Sequence, residues 1–328
     1  MTAVDPGVLD TAIDRAPVSD DGRSGATLER VLLADGSRVV VKRFDPAVDL
    51  VMRATGDTRG REVDLFRRGV LDGLPASVRH PVVGGWYDDD GRGVLVMRDL
   101  GEAVLTWTSI VPGARATIMF HAVADLHAAY LGSAPEGLTP LESIQGMFEP
   151  RRIGALAGEA LADAALRGWE YWPEVAPGEA GEQLLDLAHD TAPLVAACLA
   201  LPTTLLHGDL ATVNMAFEPG HPGCLTLIDW GLAAAGPAEV DIGRLLAGCG
   251  HLFEAGLDDL VALQRRAAGP AHDEAALRLG LLSGITWLGW NKALDIVEHP
   301  DPAVRARERA ALPWWLHQAE LAFETGMI

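Results

Sequence analysis

The chain has 328 residues, of which 49% are hydrophobic and 22% charged, so it can bury a sizeable core and does not have the composition of a disordered protein. Its formal net charge of −20 argues against a nucleic-acid partner, because a phosphate-binding surface needs clustered Lys and Arg. The longest apolar run near the C-terminus, 279–290, is too short to cross a bilayer, so no membrane partner is expected. Three irregularly spaced cysteines predict neither disulfides nor a zinc site and favour a cytoplasmic location.

The charge is divided unevenly along the chain. Residues 1–100 hold 17 acidic and 14 basic residues, a balance of −3, whereas residues 101–328 hold 29 acidic and 12 basic residues, a balance of −17. Two units with different partners would explain this difference, and the alternative is that the acidic side chains only maintain solubility. We therefore expect an N-terminal domain over 1–100 and a C-terminal domain over 101–328.

The first hundred residues have the pattern of an antiparallel sheet with one helix. Two β-rich runs, 27–33 and 38–44, flank Asp35-Gly36, a dipeptide that strongly favours a hairpin. Apolar residues at helical spacing predict a helix over 61–70, and the next apolar runs predict strands over 81–86 and 93–97.

After Gly101 the pattern changes to Ala- and Leu-rich amphipathic segments, which predict helices. One β-rich island over 205–232 interrupts them. The helices are predicted over 113–131, 154–168, 179–200, 254–268, 273–296 and 303–325. A strand-rich unit followed by a helical unit is therefore expected.

The strongest chemical signal lies in the β-rich island. Asp209, in His207-Gly208-Asp209, is followed by Asn214 and, fifteen residues later, by Asp229 at the end of an apolar run. Phosphoryl transfer needs a carboxylate that orients the attacking hydroxyl and oxygen ligands that hold Mg²⁺ against the phosphates. Two short strands around the turn 218–223 would bring Asn214 and Asp229 side by side. The spacing therefore predicts a phosphoryl-transfer site.

H-G-D-x-x-x-x-N followed by I-D-W resembles the catalytic loop and metal-binding segment of the aminoglycoside phosphotransferase and choline kinase superfamily, related to protein kinases. The resemblance implies an α+β, two-lobe protein-kinase-like fold, with a small antiparallel-sheet N-terminal lobe and a larger, mainly helical C-terminal lobe. It implies ATP and Mg²⁺ as cofactors, with Asp209 as the catalytic base. Asn214 and Asp229 would be metal ligands, and His207 would brace the loop. Taken singly, each of these positions could be a core histidine or a turn residue.

Segments outside the island match the same superfamily. Val39-Val40-Val41-Lys42 resembles the strand whose Lys grips the α- and β-phosphates. Glu62, twenty residues on, would be the carboxylate partner of Lys42, with Asp64 as its rival. Asp241, in G-P-x-x-x-D-I, would tie the catalytic region to a helix or cap that helix. His127 is expected to be structural.

The segment 95–101 resembles the hinge between the lobes of small-molecule kinases. There the backbone groups of Arg98 and Leu100 would hydrogen-bond adenine, and Met97 would line the back of its pocket. Arg98 stands where relatives often have Glu, which should matter little because the bonds are main-chain. The loop over the phosphates would lie within 18–26, where Ser24 could donate to a phosphate, although the acidic pair Asp20-Asp21 is unusual there.

The acceptor site is expected in the helical lobe. Its late tryptophans, Trp287, Trp290, Trp314 and Trp315, are interpreted mainly as core residues and alternatively as the lining of a pocket. The negative balance of this lobe predicts a small-molecule acceptor that is cationic or carries amines. Two other functions stay open, namely a nucleotide-binding pseudokinase with a regulatory role and a metal-dependent hydrolase built on the His-Gly-Asp segment.

Overall fold

The computed structural model describes residues 4–18 and 25–328, which form ten β-strands and twelve α-helices. The strands are β1 (Ala12–Pro17), β2 (Thr27–Leu33), β3 (Arg38–Arg43), β4 (Val78–Arg79), β5 (Val82–Tyr87), β6 (Gly93–Arg98), β7 (Thr204–Leu206), β8 (Met215–Ala216), β9 (Leu225–Leu227) and β10 (Ala234–Gly236). The helices are α1 (Leu50–Thr55), α2 (Arg61–Arg67), α3 (Gly113–Tyr130), α4 (Leu141–Gln145), α5 (Pro150–Ile153), α6 (Ala160–Val175), α7 (Glu179–His189), α8 (Ala192–Leu199), α9 (Glu239–Cys249), α10 (Leu257–Ala268), α11 (Glu274–Glu298) and α12 (Pro302–Phe323).

The N-terminal lobe is built on an antiparallel sheet of five strands in the order β1-β2-β3-β6-β5. Alternate side chains of a strand point to opposite faces of its sheet. Val39 and Val41 of β3 lie in a small apolar cluster on the outer face, against which Val4 and Val8 pack. Lys42 therefore points to the other face, toward the helical lobe. The alternation of side chains along β3 is therefore sufficient to place Lys42 in the space between the lobes.

The predicted strands of this lobe are confirmed. β2 and β3 pair antiparallel around a turn at Gly36, whose φ is 84°, and β5 and β6 occupy the other two predicted segments. Helix α2 ends at Arg67, three residues earlier than predicted. Within residues 1–100, the elements β1, α1 and β4 are not predicted from the sequence. Helix α1 has only six residues, too few to show a helical period, and it depends on local capping by Asp49, whose carboxylate accepts from Met52 N at 2.9 Å.

In the helical lobe α3, α10, α11 and α12 confirm four predicted helices to within three residues at each end. The prediction of a helix over 154–168 is wrong in position, because Gly158 has a φ of 98° and α6 begins only after it. The prediction of one helix over 179–200 is also wrong. The chain leaves helical geometry at Asp190, where φ is −145°, and Pro193 opens the separate helix α8.

Helix α11 is the centre of the helical lobe and packs against α6, α9 and α12. It approaches α9 closely because both carry glycine at the contact: a Cβ on Gly243 would lie 1.7 Å from the carbonyl oxygen of Gly280. The apolar run predicted over 279–290 is therefore the interior of the lobe, and its two tryptophans are buried together with Trp315 of α12. Nowhere in the described residues does a helix reach the length and apolarity that a membrane span needs.

Candidate active site

The β-rich island folds into two short antiparallel pairs that carry the predicted site residues. Strand β7 pairs with β10, and β8 pairs with β9, with Met215 opposite Leu227. The predicted turn 218–223 thus joins β8 to β9. Asn214 immediately precedes β8, and Asp229 follows β9, so the hairpin brings the two residues to the same end. This confirms the predicted strands on which the pairing of Asn214 and Asp229 depended.

The loop between β7 and β8 is fixed by its own backbone and by Asn214. Gly208 has a φ of 82°, and a Cβ there would lie 1.8 Å from the carbonyl oxygen of Leu232, so only glycine fits. The Asn214 side-chain amide donates to the backbone carbonyl of Asp209 at 2.9 Å and to its carboxylate Oδ2 at 3.2 Å. Asn214 therefore holds Asp209 through both main chain and side chain.

Asp241 of α9 anchors the same loop from below. Its buried carboxylate accepts hydrogen bonds from the backbone amides of His207 at 2.8 Å and Gly208 at 2.9 Å, and from His127 Nε2 at 3.0 Å. Burial alone would raise the pKa of Asp241, but the hydrogen bond from the His127 side chain and, after it, the Gly208 amide lower this pKa, which favours the charged carboxylate. Asp241 thus has one of its two predicted roles, since it connects the catalytic loop to α9. It does not cap this helix, because Ala238 is the N-cap of α9.

His207 links the loop to the strand that carries Asp229. Its Nε2 donates to the backbone carbonyl of Ile228 at 2.9 Å, and its ring lies 4.8 Å from that of Trp230. These contacts match the predicted bracing role, and they leave the ring fully buried.

Lys42 reaches across the cleft to two carboxylates. Its Nζ lies 2.9 Å from Glu62 Oε2 and 2.7 Å from Asp229 Oδ1. Glu62 is completely buried and also accepts from the backbone amide of Trp230 at 3.1 Å, whereas the rival Asp64 is exposed. Burial alone would lower the pKa of Lys42, but the two carboxylates raise it well above its usual value. Lys42 is therefore a charged group at the meeting point of both lobes.

Asp229 is the one non-glycine residue with a positive φ, 63°, in the part of the chain that the structure describes. This backbone geometry is rare for a residue with a Cβ and is typical of functional sites. It turns the carboxylate toward Lys42 and leaves the side chain 44% exposed to the cleft.

The oxygen atoms of Asp229 and Asn214 are suited to a magnesium ion, which prefers hard oxygen ligands and keeps one or two carboxylates together with substrate phosphates. Lys42 occupies Oδ1 of Asp229 and leaves Oδ2 for a metal. Asn214 donates through Nδ2, which leaves its amide oxygen. The described residues hold no cluster of three or more His, Cys, Asp or Glu that could bind a metal by itself. A magnesium ion at Asn214 and Asp229 would take its remaining ligands from water or from the phosphates of a nucleotide.

A small cavity of about 80 Å³ adjoins these groups and joins the two lobes. It is lined by Lys42, Phe44, Asp49, Val51, Met52, Thr55, Asp57, Asp209, Asp229, Gly231 and Leu232. Asp49 is a lining residue that the sequence analysis did not select. Burial raises the pKa of this carboxyl, and its contact is the cap of α1. We interpret Asp49 as a structural residue of the cavity wall.

In the hinge predicted over 95–101, two backbone groups have no hydrogen-bond partner within residues 4–18 and 25–328. Arg98 N donates to the carbonyl of Pro81 at 2.9 Å, as in an antiparallel ladder, but Pro81 has no N–H to return the bond. The Arg98 carbonyl therefore lacks its ladder partner. Among the described residues the Leu100 amide also has no acceptor, and Met97 is buried beside them. Ser24 and the Asp20-Asp21 pair lie outside the described residues.

The Arg98 side chain has a partner, distant in sequence, that could not be predicted from the motifs. Its guanidinium contacts both oxygens of Glu218, Nη1 to Oε2 at 2.6 Å and Nη2 to Oε1 at 3.1 Å. The hydrogen bond from Arg98, followed by one from Thr226, lowers the pKa of Glu218 to about 2. Arg98 thus connects the hinge to the turn between β8 and β9.

Arg244 of α9 is a second residue that the sequence analysis missed. Its Nε and Nη2 lie 2.9 and 2.7 Å from Oδ1 of Asp209, and its guanidinium carbon lies 4.8 Å from the centre of the Trp287 ring. Arginine is common in this chain and no motif marked this one. Its position three residues after Asp241 on α9 is the only sequence signal that could have pointed to it.

An antiparallel-sheet lobe and a helical lobe that meet at a cavity lined by Lys42, Asp209 and Asp229 form a protein-kinase-like fold. The chain belongs to the phosphotransferase enzyme family, whose sequence profile matches residues 21–278. This confirms the superfamily predicted from the motifs and the predicted α+β fold. No curated protein sequence shows significant similarity to the chain.

Solved structures share the fold at low sequence identity. Choline kinase LicA from Streptococcus pneumoniae is 14% identical, with 95% of each chain covered and a TM-score of 0.57. Aminoglycoside-3'-phosphotransferase of type VIII is 21% identical, with 83% of this chain and 93% of that chain covered and a TM-score of 0.53. The GDP complex of aminoglycoside 2'-phosphotransferase-IIIa is 16% identical, with 96% and 94% covered and a TM-score of 0.50. At these identities the similarity concerns the fold.

Proposed function

We propose that the chain transfers the γ-phosphoryl group of Mg-ATP to a hydroxyl group of a small molecule, in the cytoplasm. The observation that carries the proposal is the contact of Lys42 with Glu62 at 2.9 Å and with Asp229 at 2.7 Å, because Asp229 lies 187 residues away in sequence and separate motifs predict all three residues for this chemistry. Asp209 and Asn214 lie in contact in the same cleft.

Each residue then has a definite task. Asp209 accepts the proton of the attacking hydroxyl and orients it. Lys42, held by Glu62, binds the α- and β-phosphates. Asn214 and Asp229 would hold Mg²⁺, which neutralises charge on the phosphates when it is bound.

The N-terminal lobe, residues 1–100, would bind the nucleotide. The Arg98 carbonyl and the Leu100 amide, which have no partner in the described part of the chain, suit the adenine edge, with Met97 behind it. A relative of the same fold is described as a GDP complex, which supports a nucleotide in this cleft. ATP is the proposed donor, with Ser24 at its phosphates, and GTP belongs in the assay as its competitor.

The C-terminal lobe, residues 101–328, would bind the acceptor. Its balance of −17 favours a cation or a hydroxyl compound with amines, because an acidic cleft raises the local concentration of cations. The names of the similar structures, a choline kinase and aminoglycoside phosphotransferases, point to acceptors of this kind. The alternative stays that these acidic side chains lie on outer helix faces and touch no substrate.

Turnover of ATP and GTP with cationic, neutral and anionic hydroxyl compounds tests the proposal, with Asp209→Asn as the matched control. We expect phosphorylated product from the wild type. Asp209→Asn should lower kcat by about 10²–10⁴ and leave Mg-ATP binding nearly intact, since the base acts in the transition state. Wild-type binding of nucleotide without any product would favour the pseudokinase instead, and a control with more than half the wild-type kcat would move the base elsewhere.

The same panel tests the acceptor class. Cations should be the best substrates, and kcat/KM for the best of them should fall as salt is added. A neutral sugar as best substrate, with kcat/KM independent of salt, would show that the acidic balance does not select the acceptor.

A further inference from the structure

The carboxylate of Asp209 is held from two sides. Asn214 donates to Oδ2 at 3.2 Å, and Arg244 donates to Oδ1 through Nε at 2.9 Å, while its Nη2 forms an ion-pair contact with the same oxygen at 2.7 Å. A carboxylate with a donor on each oxygen cannot rotate about its Cβ–Cγ bond without breaking a charge-assisted hydrogen bond. The orientation of the candidate base is thus set before any substrate binds.

Arg244 is itself held in a fitted slot. Its side chain is 11% exposed, and the guanidinium lies over the ring of Trp287 at 4.8 Å, a distance typical of a cation–π contact. One turn along α9, Gly248 leaves room for it, since a Cβ on Gly248 would lie 2.2 Å from Nη1. Trp287 of α11, below the guanidinium, and the space left by Gly248 of α9 therefore hold this group in place independently of Asp209.

We propose that Arg244 is a positioning residue for phosphoryl transfer, which holds the Asp209 carboxylate in the orientation that receives the acceptor hydroxyl. This inference rests on the proposed function. Arg244 stands on α9, outside the loop that carries Asp209, so the cation that orients the base comes from the same helix as Asp241, which anchors the loop backbone. Helix α9 therefore sets both the position of the loop and the direction of its carboxylate.

The alternative is that Arg244 only stabilises the packing of α9 against the loop. Positioning and packing differ in their kinetic signature. Loss of positioning lowers kcat about 10²-fold while the KM for ATP stays within about threefold, because a misplacement of about 1 Å is sufficient for such a loss. Loss of packing lowers the melting temperature, and the remaining folded protein keeps its kcat.

The experiment compares kcat, the KM for ATP and the melting temperature of four variants with the wild type, using the best acceptor. Arg244→Ala should show the whole decrease in kcat of about 10²-fold, and guanidinium ion added to the solution should restore part of the lost activity. Arg244→Lys should be intermediate, because one ammonium cannot replace the Nε and Nη2 fork. Gly248→Ala, which displaces the guanidinium without changing charge, should lower kcat about tenfold.

The matched control is Arg265→Ala. Arg265 forms an equally short ion pair with Glu274, 2.7 Å, but on α10, away from the cleft, so its kcat should not change. Wild-type kcat in Arg244→Ala, or a loss that guanidinium does not restore and that follows the melting temperature in all variants, would overturn the positioning role alone. A wild type without product overturns the proposed function and this inference together, which separates the two failures.

Discussion

The chain has two lysines, Lys42 and Lys292, and both are buried in ion pairs in different regions of the molecule. Lys42 lies in the cleft between the lobes, against Glu62 and Asp229. Lys292 lies between α11 and α12, where its Nζ is 3.0 Å from Glu308 Oε2. The burial of the two residues is the same, 7% exposed in each case, so burial does not distinguish them.

Opposite charge outweighs burial in both regions. Burial alone would lower the pKa of Lys42, and Asp229 and Glu62 raise it. Burial alone would raise the pKa of Glu308, and Lys292, followed by Arg307, lowers it. What differs is the exposure of a partner carboxylate: Asp229, one of the two partners of Lys42, is 44% exposed beside a cavity, whereas Glu308, the partner of Lys292, is 6% exposed and enclosed by the helices. A paired, buried lysine therefore indicates function only where one of its partners is open to a ligand.

The largest expected effect separates the two lysines directly. Lys42→Met should lower kcat by about 10²–10³, because it removes the positive charge that is proposed to hold the α- and β-phosphates of the donor. Lys292→Met should leave kcat unchanged per folded molecule. Its cost is in stability, at or below about 3–5 kcal/mol, because Arg307 still contacts Glu308 at 2.8 Å. Steady-state kinetics and urea unfolding measure the two effects.

Active-site titration provides the control for that pair, since it counts the folded sites in each preparation. Lys292→Met with a kcat reduced tenfold at full site occupancy would place Lys292 in the acceptor site and remove the contrast between the regions. Lys42→Met with wild-type kcat would remove Lys42 from the phosphate site.

The next effect concerns the open carboxylate. Asp229→Ala should weaken nucleotide binding more than about tenfold in the presence of Mg²⁺ and hardly at all in its absence, because the variant loses a proposed metal ligand. Calorimetry with and without Mg²⁺ measures this difference. Equal Mg-ATP affinity in Asp229→Ala and the wild type would place the metal elsewhere.

A smaller effect is the coupling within each pair. The double variant of Lys42→Met and Glu62→Gln should lose less activity than the sum of the single losses, by a coupling energy of about 0.5–3 kcal/mol, because the side chains act through one contact. The same cycle on Lys292 and Glu308 should show coupling in unfolding free energy and none in kcat. Additive losses of activity for Lys42 and Glu62 would reopen the candidacy of Asp64.

The contiguous signals of the cleft could be predicted from the sequence, and the contacts across the fold could not. The Asp-Gly turn between β2 and β3 and the D-x-x-x-x-N loop are local, so spacing alone placed Asp209 and Asn214. The partner of Arg98 is Glu218, 120 residues away, and the contact of Arg244 with Asp209 spans 35 residues. No periodicity encodes such pairs.

The missed helices have physical reasons of their own. Helix α9 is buried on nearly every side, so it has no polar face to give the 3.6-residue period, and Gly243 and Gly248 lower its helix propensity. Helix α1 is short and depends on the Asp49 cap. Elements that are defined by their neighbours, and not by their own pattern, become visible only in the folded chain.

The smallest expected effect concerns the pair that joins the hinge to the β8–β9 turn. Arg98 and Thr226 lower the folded pKa of Glu218 to about 2, below the unfolded value of about 4.3. A depressed folded pKa means that the contribution is fully present above the unfolded pKa and is lost as the pH falls from about 4.3 to about 2. Glu218→Gln should therefore destabilise the protein at pH 6 by no more than about 1 kcal/mol, since the pair is partly exposed, and by progressively less toward pH 2. Because the proposed adenine contacts are main-chain, the KM for ATP should stay within about twofold.

Urea unfolding of the wild type and Glu218→Gln between pH 6 and pH 2.5 measures the difference in unfolding free energy, with Arg98→Gln as the control that should show the same pH dependence. A difference between wild type and Glu218→Gln that does not change with pH would show that the Glu218 carboxylate contributes by packing and not by its charge.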